Sequence, residues 1–221
     1  MKSAAGAPDP HLAIERYRRH APDYDASARR TMPLRLRTIE KLALRPGDTV
    51  LDVACGTGLN FPRLSEAVGA SGHVIGVDLS PEMCSLARRR CEREQLANVS
   101  LVEASMAQAS IDRPLDAVLF NYTHDVLRSP SALAHILAAA RPGARVALAG
   151  MKLPPWWLAP LNPVVRARAR PYMTTFEGLD RPWSLLASYL ESFQWEHTIL
   201  FTNYIGWGAV RTKAPQPAQV P

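Results

Sequence analysis

The chain has 221 residues, of which 47% are hydrophobic and 21% are charged, as in an ordinary globular protein. This length suffices for one domain with a complete core, and no apolar run approaches the ~18 residues that a membrane span needs. The formal net charge of +6 would suit a nucleic-acid partner, but the arginines are scattered along the chain. We therefore expect no membrane span and no nucleic-acid partner.

The N-terminus and the cysteines indicate a cytoplasmic protein. The first residues contain no apolar segment of the kind found in secretory signals. Cys55, Cys84 and Cys91 are odd in number, and their spacing suits neither a disulfide framework nor a zinc site. We expect reduced thiols and no bound metal. Residues 1–10 are expected to fray, and the Pro/Ala-rich residues 214–221 are predicted to form a disordered tail.

Short apolar runs alternate with helical segments along most of the chain. Each run is too short for a buried helix and is bounded by Gly, Pro, Asp or Asn, which is typical of a buried strand. The predicted strands are Thr49–Val53, Val74–Asp78, Val99–Val102, Ala117–Phe120 and Arg145–Ala149. Five such alternations predict an α/β fold, in which a doubly wound, Rossmann-like and mostly parallel sheet carries helices on both faces.

Two of the helices have recognisable starting signals. Ser80 followed by Pro81, and Ser129 followed by Pro130, are predicted to be an N-cap and the first helical residue. A turn at Arg141–Gly143 is predicted to lead from the second of these helices into the fifth strand.

The pattern changes after Gly150. Residues 151–192 contain six prolines and three tryptophans without strand alternation, which predicts a lid of irregular segments and short helices over the sheet's edge. The segments F-Q-W-E-H-T-I-L-F-T-N and Y-I-G-W-G-A-V then predict an antiparallel pair, so that the last strand of a seven-stranded sheet is antiparallel. We expect a single domain over residues 1–213, with an N-terminal cap at about 11–40.

The turn after the first predicted strand, D-V-A-C-G-T-G-L-N, carries the most specific signal. In an open parallel sheet, ligands bind beyond the carboxyl ends of the strands, and Gly56 and Gly58 remove side chains where a backbone approaches a ligand. Asp78 ends the next strand, 20 residues beyond Gly58, at the usual place of a carboxylate that binds ribose hydroxyls. Asp52 would repel a diphosphate and attract a cation, and Asn60 replaces the third glycine of a dinucleotide site.

This turn, paired with the later G-V-D-L-S, resembles the class I S-adenosylmethionine-dependent methyltransferases. The resemblance covers Tyr17 to about Gly150 and is closest to the ubiquinone and menaquinone methyltransferases, whose R-x-A-x-x-Y-D is matched by Arg19–Asp25. It implies that S-adenosylmethionine is the cofactor, that Tyr24 caps it, and that Asp78 binds its ribose. It further implies that the backbone of residues 54–58 receives the methionine moiety.

One position departs from the family pattern. Members usually carry an aspartate after the third strand to hold the adenine amine, where this chain has Ser105 with the Met106 backbone beside it. A serine hydroxyl also accepts a hydrogen bond, so the adenine contact is assigned to these two residues. The predicted cofactor-binding residues are Tyr24, Asp52, Ala54, Gly56, Gly58, Asn60, Asp78, Leu79, Ser105, Met106 and Asn121.

The fourth predicted strand ends in F-N-Y-T-H-D, at the same sheet edge as the glycine turn. Asn121 is expected to orient the cofactor or an amine, and His124 has the pKa range of a general base. The alternatives are a structural histidine and, for Asp125, a cap of the next turn. The predicted catalytic residues are His124, Asn121 and Tyr172. Lid aromatics are expected to shape an apolar pocket: Trp156, Trp157, Tyr172, Trp183 and Tyr204.

Two reactions remain open at this stage, beside a non-enzymatic cofactor-binding module. The first is in-line methyl transfer to a small molecule, which needs alignment and exclusion of water more than covalent help. The second uses the γ-carbon of the sulfonium, because N-Y-T-H-D-V-L-R-S-P and the lid also look similar to azetidine-2-carboxylate-forming cyclases, which release methylthioadenosine. There Asn121 and Tyr172 would hold the amine. The acceptor and the oligomeric state are left open.

Overall fold

The computed structural model describes residues 7–20, 23–198 and 201–212, so the predicted tail at 214–221 lies outside the described residues. All predicted strands are present. They are β1 (Thr49–Val53), β2 (His73–Asp78), β3 (Val99–Glu103), β4 (Leu115–Asn121), β5 (Ala140–Met151), β6 (Leu190–Thr198) and β7 (Asn203–Val210). They form one seven-stranded sheet in the order β3-β2-β1-β4-β5-β7-β6.

The direction of the strands confirms the predicted fold class. β1 pairs in parallel with β2 and β4, and the parallel pairs β2–β3 and β4–β5 extend the sheet on either side. β7 is antiparallel to both β5 and β6, between which it lies. The strand order reverses between β1 and β4, and the carboxyl ends of strands at such a switch point leave a crevice for ligands.

Helices cover both faces of the sheet. The helices of the described segments are α1 (Pro10–His20), α2 (Tyr24–Ala28), α3 (Met32–Lys41), α4 (Phe61–Val68), α5 (Pro81–Arg93), α6 (His124–Leu127), α7 (Pro130–Ala139), α8 (Asn162–Ala169) and α9 (Ser184–Ala187). Both predicted N-caps are confirmed: Ser80 Oγ accepts from the Met83 amide at 3.3 Å, and Ser129 Oγ accepts from the Ala132 amide at 3.4 Å. None of the described helices has the length and apolarity to cross a membrane.

The core is divided by the sheet because strand side chains alternate between its faces. Leu51 and Val53 of β1 belong to a cluster that contains α7 residues such as Leu133, whereas Val50 belongs to a second cluster that contains Phe61 of α4. Apolar side chains therefore bury both faces, as the near-continuous apolar runs of the strands predict.

Some predicted boundaries differ from the structure. The turn predicted at Arg141–Gly143 lies inside β5, which pairs with β4 at Ala140 and again from Arg145 onward. A register shift between these pairs accommodates the extra residues as a bulge, in which Gly143 has a φ of +78°. β6 begins at Leu190, so the strand takes up the last residues of the predicted lid.

Candidate functional site

A cavity of about 470 Å³ lies at the carboxyl ends of β1, β2, β3 and β4, within the size range of small-molecule sites. Residues of α1 and Tyr172 also line it. Ten of the predicted site residues line it: Tyr24, Ala54, Gly56, Asp78, Leu79, Ser105, Met106, Asn121, His124 and Tyr172. Sequence positions far apart in the chain therefore converge on one space.

Asp78 and the glycine turn are in direct contact. The Gly56 amide donates to Asp78 Oδ2 at 2.8 Å, and the Ser80 amide donates to Oδ1 at 2.9 Å. Burial raises the pKa of the Asp78 carboxyl, and these amide donors lower it. Because each carboxylate oxygen has a second lone pair, Asp78 retains acceptor capacity toward the cavity. This geometry suits a pair of ribose hydroxyls.

Gly56 leaves room at the cavity wall. Its φ is +59°, and a Cβ there would lie 3.8 Å from the ring of Tyr24. The neighbouring Ala54 also has a positive φ of 47°, a conformation that costs energy in a residue with a side chain. The turn is thus held in a strained form with its backbone facing the cavity, which is the form that a close backbone contact with a ligand requires.

Asp52, Gly58 and Asn60 do not line the cavity. Asn60 Nδ2 donates to both Asp52 oxygens at 3.0 Å, beneath the turn. Asn60 Oδ1 accepts from Asn121 Nδ2 at 3.3 Å and from Arg35 Nη1 at 3.4 Å. All four of these polar side chains are buried. The geometry gives Asp52 and Asn60 a supporting position, in which they fix the turn and orient Asn121, rather than the direct cofactor contact expected from the sequence.

The buried Asp52 predicts a pH-dependent stability. Burial raises its pKa to about 7, although the Asn60 hydrogen bond and the Arg35 charge lower it. Between pH 4 and 7 the unfolded chain loses this proton while the folded chain keeps it, so the free energy of unfolding falls as pH rises. In urea unfolding, we expect Asp52→Asn to become more stable relative to the unsubstituted chain by about 3 kcal/mol between pH 5 and 8.

A matched change at the exposed Asp23, whose side chain makes no capping hydrogen bond, provides the control. The difference in free energy of unfolding between Asp23→Asn and the unsubstituted chain should change much less over this pH range than the difference for Asp52→Asn. A pH-independent difference for Asp52→Asn would contradict the assignment of a raised pKa to this carboxyl.

The N-terminal cap holds the turn from the other side. Thr57 Oγ1 donates to Asp25 Oδ1 at 2.5 Å, and Arg90 Nε donates to the Thr57 carbonyl at 2.9 Å. The Tyr24 ring packs edge-to-face against the rings of Tyr17 and Tyr172, with centroids 6.3 and 6.2 Å away. Tyr24 therefore covers Gly56, at the position that the family resemblance implies for a residue that caps the cofactor.

A short segment after α8 forms the roof of the cavity. The Tyr172 carbonyl accepts from Tyr17 Oη at 3.1 Å, and the Met173 carbonyl accepts from Arg16. Thr174 donates to Asp125 through its amide at 2.9 Å and through its hydroxyl at 2.7 Å. Asp125 therefore anchors the roof to α6. These bonds tie the lid to α1 and to α6.

The end of β4 carries polar atoms that have no partner. Asn121 Oδ1, Thr123 Oγ1 and both ring nitrogens of His124 are buried and make no hydrogen bond with a described residue. All three side chains line the cavity. Between them Tyr122 has a φ of +64°, which is costly for a bulky residue. Buried polar atoms are nearly always satisfied, so this cluster indicates the place of a polar ligand.

Burial favours the neutral form of His124. It lowers the pKa of the imidazole, as the charge of Arg128 does to a smaller extent, whereas the charge of Asp125 raises it. A neutral imidazole has one unprotonated nitrogen, which can accept a proton from a nucleophile. Tyr172, the predicted catalytic residue that lies in the lid, lines the cavity. Its hydroxyl donates to Ser27 Oγ at 3.4 Å.

Five aromatic side chains were expected to shape the pocket, and this prediction is wrong for all of them except Tyr172. Trp156 and Trp157 are 87% and 53% exposed, and Trp183 and Tyr204 are buried in the core. The rings of Trp183 and Tyr204 pack against each other with centroids 4.7 Å apart, away from the cavity wall. Aromatic residues in a proline-rich segment indicate packing, but their spacing does not determine which surface they contact.

The sequence did not predict two contributors to the site. Arg35 is buried beneath the turn, with its guanidinium 5.1 Å from the centroid of the Tyr122 ring. Tyr17 lines the cavity beside Tyr24. Thr123, which was expected at this sheet edge, lines the cavity with a hydroxyl that has no described partner. Arg35 gave no sequence signal, because it lies in a helix among several other arginines.

The comparisons with known proteins agree with this geometry. Residues 50–143 match the family model of a methyltransferase domain. A 2-phytyl-1,4-naphthoquinone methyltransferase of Nostoc punctiforme is 29% identical over 68% of this chain and 67% of its own length. A demethylmenaquinone methyltransferase of Oceanobacillus iheyensis is 38% identical over 38% of this chain and 34% of its own length. The chain spans about half or less of most of the other curated relatives that it matches.

Solved structures share the fold at low sequence identity. A methyltransferase of Aquifex aeolicus superposes with a TM-score of 0.59 at 20% identity, covering 91% of this chain and 98% of that one. A phosphoethanolamine N-methyltransferase of Haemonchus contortus superposes with a TM-score of 0.64 at 14% identity, over 82% of this chain and 53% of that one. Over residues 50–143 the chain therefore matches a methyltransferase domain. Its described sheet has the fold of the solved S-adenosylmethionine-dependent methyltransferase of Aquifex aeolicus.

Proposed function

We propose that the chain binds S-adenosylmethionine at the carboxyl ends of β1 and β2 and transfers its methyl group to a small molecule. The observation that carries this proposal is the contact between the Asp78 carboxylate and the Gly56 amide at the wall of the cavity. The carboxylate would accept from the two ribose hydroxyls, and the strained turn would leave its backbone free for the methionine moiety. Ser105 and Met106 would flank the adenine.

The cofactor supplies the electrophile, a methyl group on a positively charged sulfur. The task of the chain is to align the nucleophile with that carbon and the leaving sulfur, and to exclude water. Asn121 is suited to orient the reactants because Asn60 accepts from its amide nitrogen while its oxygen has no described partner. The roof tied to Asp125 and α1 would provide the dry environment.

His124 is proposed as the base where the nucleophile carries a proton. Its imidazole is buried in the cavity wall without a hydrogen-bond partner among the described residues. Its lowered pKa would keep it unprotonated into mildly acidic solution, so a reaction that depends on it should retain activity there. The proton would move from the nucleophile to the imidazole as the methyl carbon is attacked.

A small acceptor suits the cavity. Apolar wall residues such as Ile14, Val77, Leu79 and Val126 surround the polar end at His124. The quinone methyltransferases among the relatives support an acceptor with an apolar ring system. No single contact of the described residues favours attack at the γ-carbon, so the cyclisation is kept only as an outcome of the test.

A product assay separates the two reactions. With S-adenosylmethionine alone, we expect no methylthioadenosine above the spontaneous rate. With a panel of small quinols, phenols and amines, S-adenosylhomocysteine should accumulate together with a methylated acceptor. Methylthioadenosine released at an enzyme-dependent rate without an acceptor would contradict methyl transfer and support γ-carbon chemistry.

The same assay tests the role of His124. His124→Gln keeps a polar side chain of similar size, so cofactor binding should be retained while kcat falls by about a hundredfold for an acceptor that must lose a proton. The control is His135→Gln, because His135 bonds the Ala109 carbonyl at 2.7 Å and does not line the cavity. Equal kcat values for both variants would exclude His124 as the base.

A further inference from the structure

Large apolar side chains are exposed together on the lid. Trp156 and Trp157 begin a short 3-10 helix, Trp156–Leu161, which runs into α8. Leu161 and Val164 are also exposed, at 39% and 50%. We call these four side chains and the exposed Phe201 the tryptophan face. Exposed tryptophans are uncommon on a monomer surface, since burial of one indole ring contributes a large hydrophobic free energy.

Ring contacts connect part of the tryptophan face to β6. The Trp157 and Phe201 rings meet edge-to-face with centroids 5.5 Å apart. From Phe201 the contacts continue to His197 at 5.1 Å and from His197 to the half-exposed Trp195 at 4.6 Å. A ridge of aromatic rings therefore extends from the lid to β6, outside the walls of the cofactor cavity.

Arginines follow this face on α8, in a stretch of the chain that has no acidic residue. Residues 151–176 contain no Asp or Glu. Arg166, Arg168 and Arg170 are exposed, and none of them forms an ion pair with a described residue. The Arg166 guanidinium lies 6.0 Å from the centroid of the Phe176 ring. Val164 and Arg168 are one helical turn apart, so an apolar and a cationic side chain lie on the same side of α8. Val165 and Ala169 point inward instead.

We propose that the tryptophan face binds the surface of an anionic lipid bilayer. Indole and phenyl rings partition into the boundary between headgroups and acyl chains, and neighbouring arginines are attracted to anionic headgroups. The face would lie on the bilayer without crossing it. A nucleic acid would use the arginines but would leave the apolar ridge in water. A second copy of the chain would bring two sets of arginines together, which is repulsive.

This inference does not depend on the proposed methyl transfer. It rests on the exposed face of the lid, whereas the cofactor site rests on Asp78 and the glycine turn. The tryptophan face and the cofactor site come close together at the roof, because Tyr172 lines the cavity and follows α8 closely in the chain. Binding to lipid can therefore be measured with no cofactor present, and its failure would leave the proposed function untouched.

Vesicle flotation of the full chain tests the proposal. We expect binding to vesicles of phosphatidylcholine mixed with phosphatidylglycerol at low salt, and much weaker binding to phosphatidylcholine alone. Trp156→Ala combined with Trp157→Ala should lower the partition coefficient by about tenfold or more. Changing Arg166, Arg168 and Arg170 to Gln should lower it by about a hundredfold at low salt, since each arginine near the surface contributes about fivefold.

A matched triple variant controls for net charge. Arg63, Arg89 and Arg93 are exposed on α4 and α5, and changing them to Gln removes the same charge while leaving the face intact. Quenching of the unsubstituted chain's tryptophan fluorescence by brominated lipid adds a readout that requires no variant. Absence of binding to anionic vesicles, equal losses in both triple variants, or self-association through the tryptophans without vesicle binding would each overturn the proposal.

Discussion

Replacing Asp78 with asparagine is expected to weaken the binding of S-adenosylhomocysteine by about a hundredfold in isothermal titration. An asparagine oxygen still accepts from one backbone amide, but its NH₂ group then faces the other amide donor. The change removes the negative charge and two acceptor sites that the ribose needs, and charge-assisted hydrogen bonds contribute about 1.5–3 kcal/mol each. Losing two therefore predicts a change of at least this size.

Two control measurements distinguish a loss of ribose binding from other effects of the substitution. Asp112→Asn removes a charge at an exposed position outside the cavity wall and should bind S-adenosylhomocysteine as the unsubstituted chain does. Thermal unfolding of Asp78→Asn reports whether the loss of the Gly56 and Ser80 bonds has unfolded the turn. If a folded Asp78→Asn variant bound S-adenosylhomocysteine with unchanged affinity, the ribose would not be bound by this carboxylate.

Alanine substitution of Gly58 is expected to destabilise the fold by about 3 kcal/mol or more. A Cβ at Gly58 would lie 2.5 Å from the Phe61 ring, and one at Gly76 would lie 2.4 Å from it. The Phe61 side chain is fully buried between these two glycines, so it cannot move away from either. Gly58 also has a φ of +74°, which adds backbone strain to the steric clash.

The other glycines of the chain separate these two costs. Gly76→Ala carries the clash without a positive φ, and Gly143→Ala carries a φ of +78° with nothing within 4 Å. In urea unfolding, we expect a loss of about 1 kcal/mol for Gly143→Ala and about 1–3 kcal/mol for Gly76→Ala. Phe61→Leu combined with Gly58→Ala should cost less than the sum of the single changes. A cost at Gly143 equal to that at Gly58 would show that strain alone is responsible.

Much of the fold could be predicted because strand signals are local. Apolar runs such as Thr49–Val53 end at turn residues, and Ser80 and Ser129 mark the starts of the helices that follow. The bulge in β5 was missed because an Arg-Pro-Gly sequence is typical of a turn, and only pairing with β4 on both sides keeps it in the sheet. Tertiary hydrogen bonds, which no local pattern reports, decided that boundary.

The candidate site was predictable where it consists of strand ends. Parallel strands place their carboxyl ends at one edge, so Gly56, Asp78 and Asn121 converge whatever the connecting helices contain. The roof and Arg35 were not predictable in this way. Their positions depend on contacts between segments far apart in the chain, such as Asp125 with Thr174, and on the packing of α3 beneath the turn. The aromatic lid was misjudged because composition does not determine which face of a segment is buried.

The most direct measurement is a crystal structure of the chain with bound S-adenosylhomocysteine. We expect both ribose hydroxyls within hydrogen-bond distance of the Asp78 carboxylate, the amino-acid portion against the Ala54–Gly56 backbone, and the adenine beside Ser105 and Met106. A nucleoside bound anywhere else, or a cavity at β1 and β2 that stays closed by Tyr24 in the presence of saturating ligand, would contradict the assignment of this corner of the sheet as the cofactor site.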